Sequence, residues 1–251
     1  MANRILDPGI DGGVSARRTG DDLTQHVQHE TGVTARSVAG DRHIRGLASG
    51  NVFLVLAVWL ALVVVLGATK ALTVAPGTPP YPIAIAVVAP FGVFFAALWL
   101  SAGFRSFVSA VDLPLITAVQ GWRWAGLGFL FLYAYGVLPG AFAWPAGLGD
   151  MAIAITAPWV ALALVRRPGF AASRLFVAWN LLGILDHVVA VSDAAISQGL
   201  ATGAPGEITV APMALLPLVL IPAYLVPLFD MLHLIALFRA QRLLTGSGAA
   251  A

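Results

Sequence analysis

Two pairs of ionisable residues, Asp186-His187 and Asp230-x-x-His233, stand inside apolar runs long enough to cross a bilayer. A charged side chain at bilayer depth costs roughly 2.5–3.5 kcal/mol even on mild insertion scales. Such groups therefore face a neighbouring helix or a wet cavity, where they can relay protons or bind solute. Two imidazoles and two carboxylates could also hold zinc with an open position, although no tight ligand motif such as His-Glu-x-x-His occurs and no metal is assigned. Asn180 lies seven residues before His187 and shares its helical face, while Asp186 shares another face with Asp193. Arg123 is the expected counter-ion of Asp230, both lying towards the cytoplasmic side. The plain alternative is that Asn180 and His187 bond between helices as packing glue, each bond contributing about 0.6 kcal/mol, while Asp193 meets the outer interface.

Asp150 is a secondary candidate. Gly147-Leu148-Gly149-Asp150 resembles the Gly-x-Gly-Asp motif of presenilin-type and signal-peptide-peptidase-type intramembrane aspartyl proteases. The resemblance covers this tetrapeptide and the apolar run after it, and implies a catalytic carboxylate at Asp150 that shares a proton with a second one. That family places its partner Asp after a Tyr in the preceding span. Here Asp112 follows Val111, and the family's Pro-Ala-Leu signature is met only by Pro222-Ala223-Tyr224. A glycine turn followed by Asp as the outer N-cap of a helix accounts for the same residues.

The elements that must position these groups are membrane spans. The chain has 251 residues, 59% hydrophobic and 10% charged, with mean hydropathy +0.87. Soluble domains carry about 25% charged residues, so this surface cannot face water all round. A formal charge of +2 gives no case for nucleic acid, and without cysteine there are no disulfides, thiolate metal sites or Cys nucleophiles.

Residues 1–50 hold six Arg and six acidic residues among Gly, Ser and Thr, a composition that predicts a disordered tail. His26, His29 and Glu30 would come together only if a short helix formed there. Because this tail precedes the first apolar run, that run is expected to act as an uncleaved signal-anchor. The apolar runs predict spans at about 51–72, 81–103, 122–138, 149–165, 172–194 and 210–238. The segment 104–121 reads as an interfacial helix, with Phe104, Val108, Val111 and Leu115 at helical spacing. The last run is too long for one upright helix, and Pro212, Pro217, Pro222 and Pro227 must kink or break it. A short polar tail, 241–251, follows.

Basic residues gather before the first span, between the second and third, between the fourth and fifth, and after the last. The opposite connections, 73–80, 141–148 and 196–209, hold no Arg or Lys. That alternation predicts an all-α bundle of six spans in the cell membrane with both termini cytoplasmic. The expected partners are the bilayer and either a second copy or a membrane partner protein. Permease-like handling of a small solute or proton leads the functional expectations. An accessory subunit and a membrane-embedded hydrolase, metal-dependent or aspartyl, follow it. No cofactor is identified.

Overall fold

The computed structural model describes residues 50–167 and 169–248. The chain divides at Gly50 into two units, and the described residues fall almost wholly in the second, Asn51–Ala251. The expected disordered tail, with His26, His29 and Glu30, lies outside the described residues.

Every regular element among the described residues is helical. Helix α1 is Gly50–Ala68 and α2 is Tyr81–Leu100. Short helices α3 (Ala102–Ala110) and α4 (Leu113–Val119) follow; a 3₁₀ segment, Gln120–Gly126, then leads into α5 (Leu127–Ala134). The long helices α6 (Gly140–Arg166) and α7 (Arg174–Leu200) come next. A 3₁₀ turn at Ala211–Ala214 and a π segment at Ile221–Leu225 precede α8 (Val226–Gly248). Among the described residues, five helices are long and apolar enough to cross a membrane: α1, α2, α6, α7 and Ile221–Leu243.

Local chemistry sets most of the breaks. Helix α1 ends when Lys70 turns to φ 56°, with Ala71 N–H bonded to the Leu66 carbonyl at 2.9 Å and Lys70 N–H to Gly67 at 3.1 Å. That is a Schellman ending with lysine where glycine is usual. The expected interfacial helix over 104–121 divides in two. Ser101 Oγ accepts from Phe104 N–H at 3.1 Å and starts α3, while Asp112 Oδ1 accepts from Leu115 N–H at 2.9 Å and starts α4. The axis bends by 81° between them. Residues from Leu113 onward thus belong with the run to Ala134, so this element begins nine residues before the expected 122.

Helix α6 also starts earlier than expected, at Gly140 and not 149, and Pro145 lies within it. Pro145 is the sixth residue of the helix, past the unpaired donors of its first turn, so it forfeits one intrahelical bond that packing of the long helix offsets. The proline-spaced final run breaks as expected. Pro222 falls in the π segment and Pro227 in the first turn of α8, where missing donors are compatible with the changed hydrogen-bond register. Helix α8 then continues to Gly248 through most of the segment expected to be a polar tail.

Apolar clusters form two ends of the bundle. Phe94, Val108, Ile116, Phe176 and Ile235 pack together at one end; Phe129, Leu138, Phe142, Val210 and Met213 do so at the other. Along α7 the chain passes from Phe176 in the first cluster to Ala190 beside the second. Along α8 it passes from Asp230 and His233 to Ile235. The residues between those clusters are the ionisable ones.

Candidate functional site

Arg123 is the centre of that intervening layer. It sits in the 3₁₀ segment between the exposed Trp122 and Trp124, and its own side chain is fully buried. Nε donates to Asp150 Oδ1 at 2.7 Å, and Nη2 donates to Asp186 Oδ2. Nη1 donates to the Gly183 carbonyl at 3.2 Å and meets His233 Nε2 at 3.3 Å. One guanidinium thus joins α6, α7 and α8, with four of its five donor positions in use.

The imidazoles extend the network in two directions. His233 Nδ1 lies 2.9 Å from Asn180 Oδ1, and the Asn180 amide Nδ2 donates to the Phe176 carbonyl at 2.8 Å. Asn180 Oδ1 must therefore accept from His233 Nδ1–H, which leaves Nε2 as the acceptor for Arg123. Those bonds hold His233 neutral. The Trp179 ring meets His233 edge-on at 5.4 Å, and Trp179 Nε1 donates to Thr156 Oγ1 at 2.8 Å.

His187 Nδ1 lies 2.7 Å from Asp230 Oδ1, and its ring stacks on Phe229 at 6.5 Å. Its Nε2 is 3.6 Å from Asp150 Oδ1, beyond hydrogen-bond length. The imidazole therefore stands between a carboxylate on α6 and one on α8.

Glycine makes this convergence possible at two positions. A Cβ on Gly149 would lie 1.6 Å from Asp186 Oδ1, and one on Gly183 would lie 2.2 Å from His233 Nε2. Neither carboxylate nor imidazole could occupy its place beside alanine.

The polar residues proposed from the sequence for an intramembrane site, Asn180, Asp186, His187, Asp230, His233, Arg123 and Asp150, thus meet in one network. Two details differ from expectation. Arg123 pairs with Asp150 and Asp186, while Asp230 takes His187. The guanidinium donors go to Asp150, Asp186, the Gly183 carbonyl and His233, which leaves Asp230 to His187. Asp150 is neither an N-cap nor at the outer end of its helix, because α6 starts ten residues before it. Asp112, the only counterpart available for an aspartyl pair in the preceding segment, serves as the cap of α4.

Sequence reasoning missed Gln120. It is buried, and its Nε2 donates to the Phe229 carbonyl at 3.1 Å, while its Oε1 and the nearby Thr117 Oγ1 find no partner among the described residues. A signal existed, since Gln120 precedes Arg123 by one 3₁₀ turn and so shares its face.

A cavity of about 110 Å³ adjoins the network. Asp150, Asp186 and His187 form its polar end, and α7 lines it as far as Gln198 through Ala190, Val191 and Ala194. Twelve residues of helix make that path about 18 Å long. Phe129, Phe142, Met213 and the π-segment residues Ile221 and Pro222 complete apolar walls. Arg123 lies behind the carboxylates and does not line the cavity.

Asp150, Asp186 and His187 also offer ligand atoms within 4.8 Å of one another, a spacing that could hold a metal ion. Both carboxylates are already bonded to a guanidinium. A divalent ion would have to share them with that fixed positive charge, so the donor set fits a metal poorly.

No curated protein and no solved structure matches the chain. Residues 80–240 match the family described as a domain of unknown function, DUF8737. That is more than half of the chain, and the protein belongs to this family. The matched stretch contains every residue of the network.

Proposed function

We propose that this protein is a membrane carrier that moves a small solute or protons, with His187 as the group that takes up and releases a proton. The observation that carries this reading is the place of His187. It lies at the inner end of the cavity, Nδ1 tied to Asp230 and Nε2 turned towards Asp150. A proton arriving at Nε2 would find a carboxylate on each side, the arrangement that intramembrane relays use. The π segment supports the same reading, because a broken helix frees carbonyls to line a cavity.

The proposed topology is six spans in the cell membrane with both termini cytoplasmic. Residues 113–134 supply the sixth crossing and α3 lies in the interface. Arg105, Arg166, Arg167 and Arg174 then share one side with Arg239 and Arg242. Arg123 no longer counts towards that bias, because it is inside the bundle. The cavity would open on the opposite face, where Thr73, Val74 and Gln198 line it. An aspartyl hydrolase is the weaker reading, since a guanidinium between Asp150 and Asp186 satisfies both as anions, whereas an aspartyl pair must share a proton.

The test is proton movement in liposomes holding the full chain and a pH-reporting dye, driven by an imposed membrane potential. Wild type should acidify or alkalinise the lumen above the rate of empty vesicles. His187→Gln and Asp230→Asn should lower that rate by about tenfold or more, the loss typical of removing a proton-transferring group. Equal rates in empty, wild-type and variant vesicles would overturn the proposal, provided the variants elute as the same species on size exclusion.

A further inference from the structure

The cavity's polar end lacks positive charge. Asp150, Asp186 and Asp230 bring three carboxylates, and Arg123 brings one guanidinium. His233 is neutral by its bonds to Asn180 and Arg123. With His187 neutral the group carries two negative charges in excess; with His187 protonated it still carries one. A buried excess of this kind strongly favours a cation.

The arrangement shows where that cation would sit. Asp150, Asp186 and His187 line the cavity, whereas Arg123 and Asp230 do not. His187 is 4% exposed, and among the described residues its Nε2 meets only Asp150 Oδ1, at 3.6 Å. Beyond this end the walls are Ala190, Ala194, Phe129, Phe142 and Met213. A bare metal ion would leave those walls empty. An apolar cavity of about 150 Å³ takes up a benzene ring, so about 110 Å³ suits a smaller body, a short aliphatic chain.

We propose that the cavity binds a small organic monocation, a protonated amine on a compact apolar body, with its ammonium against Asp150, Asp186 and His187. This rests on the carrier reading above and names its substrate class. The ammonium donates to carboxylate oxygens and to His187 Nε2, and the apolar body lies along α7. A proton on His187 and the ammonium compete, because each supplies the missing charge at the same place. The groups facing His187 are Asp150 from α6, Asp230 from α8, Asp186 from its own helix and Arg123 from the 3₁₀ segment. Affinity for the amine therefore falls as pH falls and His187 is protonated.

The experiment is equilibrium binding of isobutylamine to the purified full chain in detergent, beside its neutral and anionic counterparts 2-methylpropan-1-ol and 3-methylbutanoate. Isobutylamine should bind saturably and at least about tenfold more tightly than either. Ala194→Phe fills the cavity without touching the charges and should abolish binding while the protein stays folded. Asp186→Asn should weaken binding by about tenfold. Equal binding of the alcohol, or full binding by Ala194→Phe, would overturn the proposal. Zinc bound in its place and lost in Asp186→Asn, with no amine binding, would also overturn it in favour of a metal centre. Absent amine binding with intact proton flux refutes this inference alone, whereas amine binding with no proton flux in any condition refutes the carrier reading.

Discussion

Helix α1 and the last span, Ile221–Leu243, are of similar length and yet are built oppositely. Only 11% of the apolar stretch of α1 is buried within the protein, against 44% of that of the last span. Phe53, Leu54 and Val58 of α1 are exposed, while Asp230 and His233 of α8 are buried. In water this pairing would be inverted. In a bilayer the outer neighbour is lipid, so the peripheral helix is apolar all round and the polar groups go inward. The most hydrophobic helix of this chain is therefore not its core.

The sharpest way to break that comparison is to remove the charge at the centre. Arg123→Leu leaves Asp150 and Asp186 buried without their partner, and should cost about 3–5 kcal/mol of stability. Leu54→Ala on exposed α1 should change stability by no more than about 0.5 kcal/mol. Thermal unfolding of both variants in nanodiscs reads the difference, and comparable losses would erase the contrast. Glycines sharpen it next. Gly183→Ala and Gly149→Ala press a methyl onto His233 or Asp186 and should each cost about 1–3 kcal/mol. Gly92→Ala in α2, with nothing within 4 Å of the added carbon, should be neutral or stabilise by up to about 1 kcal/mol.

Smaller effects are expected where the polar group is uncharged or outside the layer. Gln120→Leu removes one hydrogen bond but also a buried oxygen without a partner, so stability should stay within about 1 kcal/mol of wild type. In the connection after α7, Glu207 accepts from Thr202 N–H and Oγ1 and from Gly203 N–H, which hold its carboxyl below the ordinary value of 4.5. The lowered value means these bonds are fully formed above the ordinary value and are lost as pH falls through the lowered one. The Gly203 amide resonance should move over that acid range in wild type and stay still in Glu207→Gln. The same acid range should leave signals from the α6–α7–α8 layer unchanged relative to the variant.

The helical class and the membrane spans are legible in the sequence because soluble folds rarely contain apolar runs of bilayer length. The polar residues are legible for the same reason: Asp186, His187, Asp230 and His233 are conspicuous against alanine and leucine. Rotation is what a linear sequence leaves out. Whether Arg123 reaches Asp230 or Asp150 depends on a 3₁₀ stretch, and no periodicity in Gln120–Gly126 separates that winding from an α-helix. Asp150 reads as a helix cap because glycine and proline before it resemble a loop. In fact Gly149 serves the approach of Asp186, and Pro145 is absorbed early in a long helix. Gln120 is easily passed over, since one amide in an apolar run is a weak signal beside a charge.

Charges from separate helices act as one unit around Arg123, and the rest of the site depends on that coupling. A double-mutant cycle on Arg123→Gln and Asp150→Asn, read by unfolding free energy in nanodiscs, tests it most directly. The two losses should fail to add, with a coupling of about 1–3 kcal/mol, because each substitution alone strands the other's partner. Additivity within about 0.3 kcal/mol would show that the guanidinium and the carboxylate are independent, and the charged layer would not exist as described.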